Sequence, residues 1–255
     1  MKAMIFAAGL GTRLKPLTDT LPKALVPVCD KPLVEHVCRK LKASGIGEAV
    51  VNVHHFADKV EQWVTSQEIM SLDISDERAC LLETGGAVLH ARRYLEGCGS
   101  FLIHNVDILS NLDISWFASQ AGDDSMATLL VSQRKSSRQL LFDPQTMNLV
   151  GWHNLTTGEI RSPYAGLDHK KCVSLAFSGI HIMSDKVFAV LEEYAQSRGL
   201  CLSSLPARFP IIDFYLWACA THEIKGVISE DLHLIDVGKL DTLSLAEDFI
   251  ASQML

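Results

Sequence analysis

Residues 4–33, MIFAAGLGTRLKPLTDTLPKALVPVCDKPL, constrain what this 255-residue chain can fold into more than any other stretch. An apolar run passes directly into Gly9 and Gly11, and Pro16, Pro22, Pro27 and Pro32 follow. Proline fixes φ and has no amide donor, so this segment cannot wind into one long helix; the apolar run is a buried strand that ends in a loop. Two closely spaced glycines let the main chain approach an anion without side-chain obstruction and leave its N–H groups exposed. Arg13, Lys15 and Lys23 bring positive charge to the same loop. For the glycines alone a plain strand-to-helix turn would suffice; with the cations added, the loop suits a polyphosphate.

Two better-known glycine motifs are excluded. Residues 9–14, GLGTRL, carry Leu14 where a dinucleotide fingerprint needs its third glycine, and no GxxxxGK[ST] run occurs. A formal net charge of −7 opposes a nucleic-acid backbone, and no basic stripe with interleaved aromatics offsets it. The seven cysteines form no CxxC pair and read as reduced thiols, while the ten histidines form no HExxH or Cys/His cluster, which argues against zinc. No apolar run is long enough to cross a bilayer and no signal-peptide pattern appears, so the expectation is a cytoplasmic protein with no membrane partner.

After Pro32 the apolar positions Leu33, Val34, Val37, Cys38 and Leu41 recur at helical spacing until Gly45 and Gly47. Residues 48–53, EAVVNV, read as the next strand, followed by a helix through Val60 and Val64 and a strand near residues 69–74. Gly85 and Gly86 open another helical period and again permit close approach to a flat or anionic ligand. Residues 101–104 form an apolar strand that ends at Asn105 and Asp107. Turn pairs Asp143-Pro144 and Thr157-Gly158 predict a small β insertion between about residues 125 and 177, over the ligand crevice. Strand 173–183, helices 186–194 and 211–220, strand 233–237 and a terminal helix with Leu240, Leu243, Leu245, Ala246 and Phe249 on its apolar face complete the chain. The reading is α/β: a Rossmann-like, mixed, mostly parallel sheet flanked by helices, with a small β insertion. It is one domain over 1–255, in two halves, 1–124 and 125–255.

Ligands of open parallel sheets gather beyond the carboxyl ends of the strands. The glycine loop, residues 83–86 and Asp107 all stand at such ends. Asp107 and Asp236 are far apart in sequence, yet each follows an apolar strand. A lone aspartate there is more often a turn or cap, but two hard carboxylates are what Mg²⁺ asks of a protein when phosphate oxygens and water supply the rest.

These residues carry a resemblance. Residues 7–33, with LETGGA at 82–87, FLIHNVDI at 101–108, FSGIHI at 177–182 and LIDVGKL at 234–240, resemble, in order and over nearly the whole chain, the nucleotidyltransferases that join a nucleoside triphosphate to a sugar 1-phosphate. The resemblance implies the nucleotide-diphospho-sugar transferase fold, with residues 1–124 as the nucleotide-binding half and 125–255 as the sugar-binding half, and Mg²⁺ held by Asp107 and Asp236. It further implies Arg13, Lys23 and Asp107 as catalytic residues. Ala8, Gly9, Gly11, Thr12, Arg13, Lys23, Glu83, Thr84, Gly85 and Gly86 match nucleotide contacts, and Asn105, Ser178 and Gly179 match sugar contacts. The short length and the LETGG and FSGI segments are most similar to members acting on N-acetylmuramate 1-phosphate and to their mannose 1-phosphate relatives, which implies first uridylyl transfer to N-acetylmuramate or N-acetylglucosamine 1-phosphate. Guanylyl transfer to mannose 1-phosphate, thymidylyl transfer to glucose 1-phosphate, and a nucleotide-sugar sensor without turnover are the alternatives. Three departures bear on the acceptor: Val106 inside the NxD motif, Lys239 after DVG, and Gly151, Trp152, His153 and Asn154 where many relatives place Glu-Lys-Pro.

Overall fold

The computed structural model describes residues 1–122, 125–200 and 206–253. In chain order these form β1 (Lys2–Phe6), β2 (Pro27–Val28), β3 (Lys31–Pro32), α1 (Leu33–Ala43), β4 (Glu48–Val53), α2 (Ala57–Ser66) and β5 (Ser71–Asp76). Next come α3 (Glu83–His90), α4 (Arg92–Leu95), β6 (Ser100–Asn105), β7 (Ile108–Ser110), α5 (Ile114–Ser119), β8 (Ala127–Ser132), β9 (Arg138–Phe142), β10 (Leu149–Asn154) and β11 (Ile160–Arg161). The last are β12 (Val173–Ser184), α6 (Val187–Ser197), α7 (Ile211–Ala218), β13 (Ile224–Ile228), β14 (Leu234–Asp236) and α8 (Asp241–Gln253). The class is the expected one, a mixed, mostly parallel central sheet flanked by helices. Contacts gather the chain into two compact units, one of Met1–Leu81, Leu102–Ile114 and Leu232–Leu255, the other of Leu82–Phe101 and Ser115–Asp231.

In the first unit β1 lies between β6 and β4, and β1–β4 and β4–β5 run parallel. Five of the six β4 residues are buried, the pattern of a strand covered on both faces. Helix α1 buries Leu33, Val34, Val37, Cys38 and Leu41 as one stripe. It ends where Gly45 takes φ +82° and Ile46 N donates back to Leu41 O at 3.0 Å. Strand β5 starts later than residue 69, because the Gln67 side chain accepts from Ile69 N and donates to Met70 O, holding those residues in a turn. The face of α8 also differs from expectation: Ala246 is fully buried, whereas Leu245 is 56% exposed and Leu240 precedes the helix.

In the second unit β8 is paired antiparallel with β12 and parallel with β13. The expected hairpins are present as an antiparallel β9–β10–β11 meander. Its first turn is tied by Asp143 Oδ1, which accepts from Gln145 N at 3.0 Å and Thr146 N at 2.9 Å. Aromatic packing closes the core, with Phe101 stacked on Phe188 at 5.6 Å between ring centroids.

His104 in the first unit and His181 in the second are each 1% exposed. Burial disfavours the imidazolium and pushes the pKa from 6.5 down to about 4 for His104 and about 3 for His181. The unfolded chain therefore binds more protons below pH 6.5, so this stability is complete above pH 6.5 and is lost as pH falls toward the folded pKa values. We expect a loss of about 2 kcal/mol per histidine between pH 6.5 and pH 5. Urea midpoints across that range should fall less steeply for His181→Gln than for wild type, and parallel pH profiles would refute this account.

Candidate active site

The loop after β1 is built from three 3-10 turns, Thr12–Leu14, Leu17–Asp19 and Lys23–Leu25, separated by Pro16 and Pro22 as the prolines require. Its glycines serve different ends. Gly11 has φ +63°, and a Cβ there would stand 2.9 Å from Thr18 Cγ2 and 3.1 Å from Lys23 Cβ, so the loop closes over Lys23 only without a side chain. Thr18 Oγ1 secures the closure by donating to Gly11 O at 2.8 Å. A Cβ on Gly9 would meet nothing within 4 Å among the described residues, which leaves that side of the loop open.

Lys23 is 8% exposed, and its ammonium forms a short ion pair with Asp107 Oδ2. A lysine so far from water needs such a partner. Asp107 occupies the junction between β6 and β7, two residues beyond Asn105 at the end of β6. Its carbonyl accepts from Val237 N at 2.8 Å, and β7 pairs with β14 so that Asp236 lies opposite Ile108. The two acids predicted from distant parts of the chain are thus neighbours on paired segments.

Asp236 Oδ1 is buried and has no hydrogen-bond partner among the described residues. A carboxylate oxygen withdrawn from water and left bare costs on the order of 1–3 kcal/mol or more, which a cation would recover. No group of three or more His, Cys, Asp or Glu side chains suited to a metal exists among the described residues. The donor set is therefore two hard carboxylates, which fits a divalent cation that takes its other ligands from phosphate and water. A Cβ on Gly238 would stand 2.6 Å from both Arg13 Nη2 and Asp236 Oδ1, so the Arg13 guanidinium also packs on this turn. Val106 is 3% exposed, its bulk turned into the core, while Lys239 is exposed and its carbonyl accepts from Thr242 Oγ1 at the start of α8.

In the second unit Glu83 begins α3 with φ +61° and pairs with Arg208 at 3.1 Å. Gly85 N and Gly86 N donate to Phe209 O at 2.9 and 3.1 Å, and Thr84 Oγ1 accepts from Ile211 N. A Cβ on Gly86 would overlap the Ala207 carbonyl oxygen. The close approach that these glycines permit is thus used at least in part by the chain itself, with both amides donating to one carbonyl. Ser178 and Gly179 lie where β12 slips register against β8 between Phe177 and His181, a bulge at which Gly179 takes φ +76°. In β10, Trp152 is 9% exposed, with the Arg161 guanidinium 4.3 Å from its ring centroid.

A sequence model of the nucleotidyl transferase family matches residues 2–140, more than half of the chain. The chain belongs to the nucleotidyl transferase family. Among its relatives, the N-acetylmuramate alpha-1-phosphate uridylyltransferase of Caulobacter vibrioides is 37% identical over 196 residues, covering 73% of this chain and 76% of that protein. The protein of the same name from Neisseria meningitidis serogroup B is 42% identical over 118 residues, 45% of this chain and 50% of its own length. The UDP-glucose pyrophosphorylase structure from Acinetobacter baumanii superposes with a TM-score of 0.75 at 18% identity, covering 99% of this chain and 93% of that one. That likeness speaks for the fold.

Two residues of this family member that no motif announced support its glycine loop. Asn52 Oδ1 accepts from Ala7 N at 2.7 Å and Ala8 N at 3.3 Å, and Asn52 Nδ2 donates to Glu77 Oε1 at 2.7 Å. Both side chains are buried, at 3% and 2% exposure. Asn52 sits in EAVVNV, where the only visible signal was one polar residue interrupting an apolar strand. Gly238→Ala tests the turn opposite the loop: its Cβ must displace Arg13 or Asp236, so nucleotidyl transfer should fall roughly 10- to 100-fold with little change in melting temperature. Wild-type turnover in that variant would separate the turn from the chemistry.

Proposed function

We propose that this enzyme transfers a uridylyl group from UTP to N-acetylmuramate 1-phosphate, forming the UDP-sugar and releasing pyrophosphate. The observation that carries the reading is the convergence, within the first unit, of the Lys23–Asp107 ion pair, the bare Asp236 oxygen and the Arg13 guanidinium. The similarity to the Caulobacter vibrioides uridylyltransferase, over most of both chains, supports the choice of base and sugar.

A sugar phosphate oxygen attacks the α-phosphorus, forming a P–O bond as the bond to the β-phosphate oxygen breaks. No general base is needed, because a phosphate monoester is already ionised at neutral pH. Catalysis then rests on alignment and on positive charge around the phosphoryl oxygens. Arg13 holds the β- and γ-phosphates by charge-assisted hydrogen bonds, and Lys23 serves the α-phosphate. Asp107 and Asp236 would hold Mg²⁺, which when bound supplies neutralisation of a non-bridging oxygen. Ala8, Gly9, Gly11 and Thr12 are assigned to the nucleotide, as is the segment Glu83, Thr84, Gly85 and Gly86. Asn105, Ser178 and Gly179 are assigned to the sugar.

Pyrophosphate release, measured over a panel of nucleoside triphosphates and sugar 1-phosphates with Mg²⁺, tests the assignment. The UTP and N-acetylmuramate 1-phosphate pair should be fastest, and activity lost to a chelator should return with added Mg²⁺. Binding without release would favour a nucleotide-sugar sensor, and preference for GTP with mannose 1-phosphate would move the enzyme to another branch.

Two substitutions probe the central pair. Asp107→Asn should lower kcat roughly 100-fold or more while the fold survives by thermal melt, since the amide keeps the shape and loses the charge. Lys23→Ala should slow the chemical step in single-turnover measurements, and an unchanged rate would remove Lys23 from the reaction.

A further inference from the structure

One cation in the second unit is held in a way that its structural contacts leave unexplained. Arg134 follows β8 by two residues, is half-buried, and donates from Nη2 to Phe177 O at 2.8 Å. That carbonyl belongs to the residue just before the Ser178 bulge. Arg134 Nε is buried with no acceptor, and Arg134 forms no ion pair among the described residues. Residues 133–142, QRKSSRQLLF, contain Arg134, Lys135 and Arg138 and no acid, so the segment does not neutralise itself.

Two hydroxyls at the same place are also bare. Ser178 is fully buried and its Oγ has no partner among the described residues, and neither has Ser132 Oγ, on the β8 residue that pairs with Ala176. Ser132 is the last residue of β8, and Arg134 follows it by two positions. A guanidinium kept only to donate to a carbonyl could be a neutral amide without leaving a buried charged N–H unsatisfied, a cost of about 1–3 kcal/mol or more. One guanidinium with free N–H groups and two unpartnered hydroxyls instead match a group of one negative charge and two acceptor oxygens. That is a carboxylate; a phosphate dianion brings twice the charge.

We infer that Arg134, with Ser178, reads a carboxylate on the sugar acceptor and so makes the enzyme select an acidic amino sugar over its neutral counterpart. This rests on the sugar assignment of Ser178 and Gly179 proposed above. N-acetylmuramate bears such a carboxylate on its lactyl ether, whereas N-acetylglucosamine has a hydroxyl there. The selection would thus join the serine of the FSGI motif to a cation outside it, on a segment that the missing Glu-Lys-Pro does not touch.

The test compares wild type, Arg134→Gln and Arg134→Lys with both sugar 1-phosphates as acceptors. The ratio of kcat/KM for N-acetylmuramate 1-phosphate over N-acetylglucosamine 1-phosphate should fall roughly 10- to 100-fold in Arg134→Gln and recover in part in Arg134→Lys, which keeps the charge. Equal losses on both acceptors would overturn the inference, because a tether for the Phe177 carbonyl or a contact to the shared 1-phosphate would behave that way. A second arm needs no turnover: NMR titration of each protein with unphosphorylated N-acetylmuramate and N-acetylglucosamine. Wild type should prefer N-acetylmuramate and Arg134→Gln should lose that preference; no preference in wild type, or one that survives the substitution, would overturn the inference. Were wild type to turn over no sugar 1-phosphate at all, the proposed reaction would fall while the titration still decided the role of Arg134.

Discussion

The ion pair between Lys23 and Asp107 is the constraint on which the candidate site depends. Both side chains are largely out of water, at 10% and 18% exposure, where an uncompensated charge of either sign would be strongly unfavourable. The pair fastens the loop after β1 to the junction of β6 and β7. The hydrogen bond from Val237 N to Asp107 O then draws the segment after β14 to the same point. Loop, junction and C-terminal turn come from separate parts of the chain, and together they set Lys23, Asp107, Asp236 and Arg13 in one place. The bare Asp236 oxygen leaves one acceptor of this arrangement unmatched.

Small residues in each unit serve the chain's own packing as much as any ligand. Gly11 lets the loop close over Lys23, Gly238 lets Arg13 and Asp236 approach the same turn, and Gly85 and Gly86 admit the Phe209 carbonyl against the start of α3. Gly9, by contrast, leaves its side of the loop open among the described residues. The pair Gly85 and Gly86 shows that close approach at a glycine can serve the chain's own backbone, since steric permission does not name the visitor.

Much of the fold could be read directly. The α1 stripe, the buried β4 run and the proline-broken loop are local patterns, and each formed where its spacing indicated. Errors fell where a side chain overrode the pattern: Gln67 folds residues 69 and 70 into a turn and delays β5, and α8 turns Leu245 outward. In the site, Arg13, Lys23, Asp107 and Asp236 were legible because their residue types stand out at strand ends. Asn52 and Glu77 were not, because a polar residue in an apolar strand does not reveal which backbone amides it will meet. Arg134 was invisible for a similar reason: what marks it is the acceptor it lacks.

By itself the sequence determined the α/β class, the loop that cannot be a helix, and the inventory of charged groups able to serve a triphosphate and a cation. These follow from dihedral limits, hydrophobic period and side-chain chemistry, all of which act over a few residues. Tertiary structure alone decided which acid meets Lys23, that Asp236 keeps an oxygen free, and that Phe209 takes the amides of Gly85 and Gly86. Those outcomes depend on desolvation and on partners brought together from distant segments, and neither is a property of a short stretch of chain.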